Sequence, residues 1–259
     1  LYDTNVPVAR TLVYEDDPDW LIDGREFYIR ELVEGRWDVP HFTDMDPKYD
    51  DARIEASKEH ARKLAAIHTL DWSKLGFGKL MDVPQSPETA ALTAIDRLQS
   101  KLKEFQIEPI PIFAEAVGWL RDNAPKTAPC ISLLKGNNGL GEEIWHEGQI
   151  VAMSDWELAS LGDPAYDFAW CQGFTGVNVP DKWNLQSFLD YYEEVSGIHI
   201  EQTSIGYYRL IQALEGTVFS HNAALPIIDR ENLLARLCWV STEVHHSMQS
   251  GLARGMGII

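Results

Sequence analysis

Two hydrophobic periods divide this chain. Up to about Pro40 the apolar positions read as strands. VPVARTLVY, residues 6–14, is predicted extended, with Pro7 at its entry, and DDPDWLIDGRE is an acidic turn closing on Gly24. In EFYIRELVEG the alternation of Phe27, Ile29 and, after a polar Glu31, Val33 predicts a half-buried strand. The two segments make a hairpin, and two strands alone are marginal in water. Downstream helices, or residues upstream of Leu1, are therefore expected to cover it. From about Asp46 the period changes to 3.6. A helix over 49–69 carries Ile54, Ala61, Leu64, Ala65 and His68 on one stripe, where His68 reads as a core histidine. TLDWSKLGFGKL is a loop. Ser86-Pro87-Glu88 starts the next helix, with a capping Ser and Pro at the first helical position, and its stripe is Leu92, Ile95, Leu98, Leu102 and Phe105. A shorter helix with Phe113, Val117 and Leu120 ends near Asn123-Ala124-Pro125.

The pattern switches back between Ile131 and Trp170. An apolar strand ends in the Gly-rich loop Lys135-Gly136-Asn137-Asn138-Gly139-Leu140-Gly141, and two short alternating strands follow, turned at Glu147-Gly148. The second strand, QIVAMS, runs out into Asp155-Trp156-Glu157. A carboxylate projecting from that strand end, beside a loop that offers Glu142, is the oxygen-donor arrangement suited to Mg²⁺. Asp163-Pro164 then repeats the cap-plus-Pro signature and starts a short helix with Phe168, Ala169 and Trp170. Asp181 is expected to cap a helix with Leu185, Phe188, Leu189, Tyr192 and Val195. Two long helices finish the chain, one over about 204–223 and one from about Asp229 with Leu233, Leu237, Val240, Val244 and Met248 on its stripe. His245 and His246 point about 100° apart on such a helix and do not chelate. There is no internal repeat and no low-complexity linker.

Composition narrows the function classes. With 259 residues, 45% hydrophobic, the chain can bury one large core or two modest ones. No stretch reaches the ~18 uninterrupted apolar residues of a membrane span, and no secretory leader pattern opens the chain. A soluble, cytoplasmic protein is expected. A formal net charge of −18 repels phosphate backbones and anionic membrane surfaces, which argues against nucleic-acid and membrane partners; it would favour cationic ligands or simply keep the protein in solution. The three cysteines, Cys130, Cys171 and Cys238, each sit in apolar text and are predicted to be small buried hydrophobes.

The run SDWELASLGDPAYDFAW resembles the D-W-E-x-x-x-x-G-D-P-x-x-D-x-A-W block of the aminoglycoside phosphotransferase family, which shares its fold with choline kinases and protein kinases. The subgroup it most resembles contains the kinase-like domains attached to acyl-CoA dehydrogenases. FYIRELVEGR looks like the hinge strand, EHARKLAAIHTLDW like the first large helix, and WLRDNAP like the helix before the catalytic loop. The resemblance implies an α+β, protein-kinase-like fold. Residues 1–40 would be the strands and hinge of a truncated N-terminal β lobe. Residues 41–259 would form a large, mainly helical C-terminal lobe containing the β-hairpin. It also implies transfer of the γ-phosphoryl of ATP to a substrate hydroxyl. Asp155 would then match the Mg²⁺-binding Asp, and Asp163 and Asp167 carboxylates that brace the site, although cap and buried acceptor are their alternative roles. Glu31, Leu32 and Val33 would lie where the hinge backbone meets adenine.

The departures fall in the catalytic loop, which in the family reads H-G-D-x-x-x-x-N. Here the aligned residues are Lys135-Gly136-Asn137 and, beyond them, Glu142. Asn137 has no carboxylate and cannot act as a base at neutral pH; it would orient the acceptor. Glu142 adds a negative charge to the metal site. Lys135 would neutralise phosphate charge or pair with Glu142 or Asp155. No G-x-G-x-x-G or G-x-x-x-x-G-K-[ST] occurs in the chain. The leading expectation is Mg²⁺- and ATP-dependent phosphoryl transfer to a hydroxyl on a small molecule or acyl thioester. The alternative is a kinase-like pseudoenzyme acting as a binding module, with a homodimer or partner chain meeting the first-strand edge. A third reading has Lys135, Glu142 or Glu143 as acid or base in a lyase or isomerase.

Overall fold

The predicted change of period appears in the computed structural model, which describes residues 1–21, 24–44, 46–105, 110–174, 181–228 and 234–259. In chain order the elements are strands β1 (Thr11–Glu15) and β2 (Phe27–Arg30), then helices α1 (Asp50–His68), α2 (Ala90–Phe105) and α3 (Pro111–Asp122). Strands β3 (Ser132–Leu134), β4 (Glu143–His146), β5 (Gln149–Met153) and β6 (Ser160–Gly162) follow. Helices α4 (Ala165–Trp170), α5 (Leu185–Ser196), α6 (Gln202–Asn222), α7 (Leu225–Ile228), α8 (Ala235–Trp239) and α9 (His245–Gly255) complete the chain, with a π-helical segment at Val240–Val244 joining the last two. Among the described residues no helix is long and apolar enough to cross a membrane. The side chain of Phe105, and the predicted helix start at Asp229 with Leu233, lie outside the described residues.

These elements form two compact units that alternate along the sequence. The first comprises Leu1–Asp71, Lys135–Ala159 and Trp170–His199, and the second Trp72–Leu134, Ser160–Ala169 and Ile200–Ile259.

In the first unit, β1 and β2 pair antiparallel, Val13 opposite Ile29 and Tyr14 opposite Tyr28. The hairpin was expected, and of the positions read as half-buried Phe27 and Val33 are so, while Ile29 is exposed. Leu12, Val13, Tyr14, Tyr28 and Ile29 are each between 44% and 61% exposed, because a two-stranded ribbon buries a face only when another layer covers it. Helix α1 is bound by α5, burying Ala61, Leu64 and Ala65 with Phe188, Leu189 and Tyr192. His68 is a core histidine, its Nδ1 2.8 Å from the Tyr192 hydroxyl. Asn184, not Asp181, caps α5, its Oδ1 accepting from Ser187 N at 3.0 Å. Both residue types can cap, but Asp181 stands four residues before the helix and cannot reach its first turn. The hairpin β4–β5 turns at Glu147 and Gly148, both with positive φ (49° and 78°), the geometry that matches the natural twist of two joined strands.

In the second unit, Pro87–Thr89 forms a short 3₁₀ turn capped by Ser86 and leads into α2. Ile95, Leu98 and Leu102 on α2 are buried, as are Phe113, Val117 and Leu120 on α3, while Leu92 is 37% exposed. Strand β3 pairs antiparallel with β6, Leu133 opposite Leu161. Leu237, Val240, Val244 and Met248 are half-buried and Leu252 is fully buried, so the last helical stripe faces inward as read. The cysteines are a correction: Cys171 is buried, Cys130 half-buried and Cys238 exposed, because Cys238 falls off that stripe.

Candidate active-site loop and hairpin

Strand β3 delivers the chain to Lys135, whose ammonium is buried and donates to the Asn137 carbonyl. Gly136 follows with φ +89°; a Cβ there would stand 2.5 Å from both Leu158 Cβ and the Leu158 carbonyl oxygen. Only glycine gives the loop both this backbone angle and this close approach. The turn brings Asn137 round so that its Oδ1 accepts from Gly139 N at 3.1 Å and its Nδ2 donates to Asp155 Oδ2 at 2.5 Å.

Asp155 reaches that contact because β5 ends at Met153, two residues earlier, and the backbone then reverses. Its φ is +60°, a left-handed conformation that Asp tolerates better than most residues. Non-glycine residues held there concentrate at functional sites. The facing strand end is locked in register: Glu143 pairs with Met153, and the Glu142 carbonyl accepts from both Ser154 N (2.8 Å) and Ser154 Oγ (2.9 Å). Glu142 and Asp155 are thus brought together just beyond the last ladder pair. Burial, and then the charge of Asp155, push the Glu142 carboxyl above its ordinary range, while the charge of Lys135 opposes that rise. The cluster is two carboxylates, one amide and a nearby ammonium. Its chemistry is that of a hard, oxygen-donor site that would be relieved by a cation.

The loop therefore gathers Asn137, Glu142 and Asp155, with Lys135 beneath them. The other residues singled out from the sequence lie elsewhere. Asp167 is fully buried on α4 in the second unit, and Asp163 caps that helix, its Oδ1 accepting from Ala165 N at 2.9 Å. Glu31 to Val33 continue from β2. Glu31 bonds Arg10 twice, by its N–H to the Arg10 carbonyl and by its Oε1 from Arg10 N, both at 2.9 Å, and Leu32 is 93% exposed. Among the described residues no group of three or more His, Cys, Asp or Glu side chains could hold a metal by itself.

Sequence reading underrated two residues of this region. Asn138 is fully buried, and neither its Oδ1 nor its Nδ2 finds a hydrogen-bond partner. Glu143 is also fully buried, beside His60 of α1. The signal for Glu143 was the double acid Glu142-Glu143: strand alternation sends one side chain out and the next in.

A family model for the phosphotransferase enzyme family matches residues 1–200. Among curated proteins, the chain is 28% identical over 182 residues to the Arabidopsis thaliana protein IBR3, provisionally described as an acyl-CoA dehydrogenase, covering 68% of this chain and 22% of that one. It is 27% identical over 203 residues to acyl-CoA dehydrogenase family member 11 of Gallus gallus, covering 76% of this chain and 25% of that one. The chain thus spans about a quarter of the length of these relatives. Among solved structures, a Ralstonia eutropha protein provisionally described as an aminoglycoside phosphotransferase superposes with a TM-score of 0.71 at 23% identity, over 98% of this chain and 80% of that one. Aminoglycoside phosphotransferase APH(4)-Ia superposes with a TM-score of 0.58 at 15% identity, over 97% and 77%. The fold is α+β and kinase-like, and the match over residues 1–200 places this chain in the phosphotransferase enzyme family.

Proposed function

We propose that this chain transfers the γ-phosphoryl group of ATP to a hydroxyl on a small molecule or acyl thioester, with Mg²⁺ held by Asp155 and Glu142. The observation that carries the reading is the meeting of these two carboxylates at the end of the β4–β5 hairpin, in a chain of the phosphotransferase family. The donor set fits the ion. Mg²⁺ is usually held by one or two carboxylates together with water and substrate phosphates, and a Glu whose carboxyl is pushed up by burial and by a neighbouring Asp gains when a cation joins the pair. Bound there, Mg²⁺ supplies charge neutralisation for the transferred group.

This chain's own groups do the rest. Asn137, tied to Asp155, presents an amide where an acceptor hydroxyl can be oriented, and its Oδ1 is kept in place by Gly139 N. Lys135 contributes fixed positive charge beneath the loop. Glu31, Leu32 and Val33 follow β2 as the segment against which adenine would lie. The acyl thioester is favoured as acceptor because the curated relatives carry this region within acyl-CoA dehydrogenases.

Asn137 also favours a second reading, a kinase-like binding module without turnover, since phosphoryl transfer here would lack a carboxylate base. The apolar positions exposed on β1 and β2 suit a second copy of this chain. Calorimetric titration of the full-length protein with ATP in the presence of Mg²⁺, followed by measurement of ADP release with hydroxyacyl thioesters, separates these outcomes. Binding with release supports transfer and binding alone supports the module. No heat of binding refutes the proposal.

A further inference from the structure

Three fully buried polar side chains of the first unit take no part in the chemistry above: His60 on α1, Glu143 at the start of β4, and Cys171. His60 Nδ1 stands 3.3 Å from Glu143 Oε1, within ionic reach but off the line of a hydrogen bond. Its Nε2 lies 3.7 Å from Cys171 Sγ. Phe174 stacks flat on the imidazole, with ring centroids 4.0 Å apart and planes 7° from parallel. Neither oxygen of Glu143 finds a hydrogen-bond partner. A buried carboxylate so poorly supplied is expensive, and an apolar residue of similar volume would stabilise the fold as well or better. A contact kept at that disadvantage points to a role beyond packing.

The neighbouring residue ties the same helix to the same hairpin. Glu59, also buried, accepts from Ile150 N at 3.1 Å while Arg62 and Lys63 bind its carboxylate at 2.9 and 3.0 Å. Helix α1 therefore holds the hairpin at two places, the β5 strand at Ile150 and the first residue of β4 at Glu143. The second place adjoins Glu142. Because the Glu142 carbonyl is bonded twice to Ser154, any shift of Glu143 carries Glu142 and, through Ser154, Asp155.

We propose that His60, acting through Glu143, is a positioning residue that fixes the separation of Glu142 and Asp155 for a divalent cation. This rests on the reading that those two carboxylates hold Mg²⁺. Partners that orient metal ligands commonly change metal affinity by tenfold or more when lost.

The test uses the full chain and Mn²⁺ alone, titrated by electron paramagnetic resonance. His60→Ala is expected to weaken Mn²⁺ binding about tenfold, and His60→Gln, which keeps an N–H donor towards Glu143, to recover most of the loss. Tyr192→Phe removes a different buried histidine contact of α1, that with His68, and is expected to lower thermal stability while leaving Mn²⁺ affinity unchanged. If His60→Ala does not fold, Glu143→Leu replaces it, with the same loss of affinity expected. A native chain that binds Mn²⁺ while His60→Ala or Glu143→Leu binds within twofold of it overturns the positioning role alone. A native chain that binds no Mn²⁺ overturns this proposal and the metal site together.

Discussion

Replacing Asn137 by Asp inverts the electrostatics of the loop, and the contact to Asp155 sets the size of the effect. In the native chain the Asn137 amide donates to Asp155 Oδ2 at 2.5 Å, a hydrogen bond to a charged acceptor. Such a bond contributes roughly 1.5–3 kcal/mol. Asn137→Asp removes it and sets two carboxylates in its place, with Glu142 nearby as a third. Two like charges at such a distance repel by about 4 kcal/mol at the effective dielectric of a protein surface, and partial exposure of both residues reduces that figure. The metal-free variant should therefore lose about 2–4 kcal/mol of stability above the carboxylate range of pH. Its melting temperature should fall by roughly 5–15 °C. The penalty should fade as the pH drops and the carboxyls protonate. Mg²⁺ should reverse it, raising the melting temperature of Asn137→Asp by more than that of the native chain, because three carboxylates then face the cation. Differential scanning calorimetry with and without Mg²⁺, at pH 7.5 and pH 4, measures all of this. An unchanged metal-free melting temperature, or an equal response to Mg²⁺ in the two proteins, would refute the account of Asn137 as the amide that separates two acids.

Two further outcomes follow from the same loop. Gly136→Ala forces a Cβ to within 2.5 Å of the Leu158 backbone at φ +89°, and should destabilise the chain by about 2–4 kcal/mol; a shift below 1 kcal/mol in denaturant unfolding would mean the loop relaxes freely. For Glu142, a carboxyl raised in the folded state binds its proton more tightly there than in the unfolded chain, so stability is lost as pH rises from the unfolded to the folded value and stays lost above it. Glu142→Gln should then be more stable than the native chain at pH 7 without metal, no more stable at pH 4, and insensitive to Mg²⁺. A gain at both pH values would break the argument.

The parts of this molecule governed by local chemistry were legible in its residues. Glu147-Gly148 marked the hairpin turn because few residue pairs accept two positive φ angles, and Ser86-Pro87 and Asp163-Pro164 marked helix starts through caps that act within three residues. The block from Asp155 to Trp170 carried the family. What stayed hidden depends on tertiary neighbours. Glu59 and His60 fall outside the apolar stripe of α1, yet both are buried, because their partners come from β4 and β5 and from the chain after α4. The exposure of β1 and β2 was missed for the opposite reason: an apolar alternation says that a face can be buried, not that anything lies on it. At the loop, the sequence pointed to Glu142 and Asp155, but not that Asn137 would spend its amide on Asp155.

The alternation of the two units along the chain bears on how the protein is made. The polypeptide passes from one unit to the other five times, and the first unit lacks α5 until Trp170–His199 have been added. The second needs everything from Ile200 to Ile259. A ribosome therefore releases most of this chain before either core can close, and native contacts join residues far apart in the sequence. Such pairings form slowly, since long loops must be ordered before their contacts repay them. No single cut excises either unit, and a premature stop anywhere before about residue 200 leaves both incomplete. Synthesis of this protein is thus a period of prolonged exposure, during which the apolar ribbon of β1 and β2, made well before either unit is complete, is open to whatever meets it.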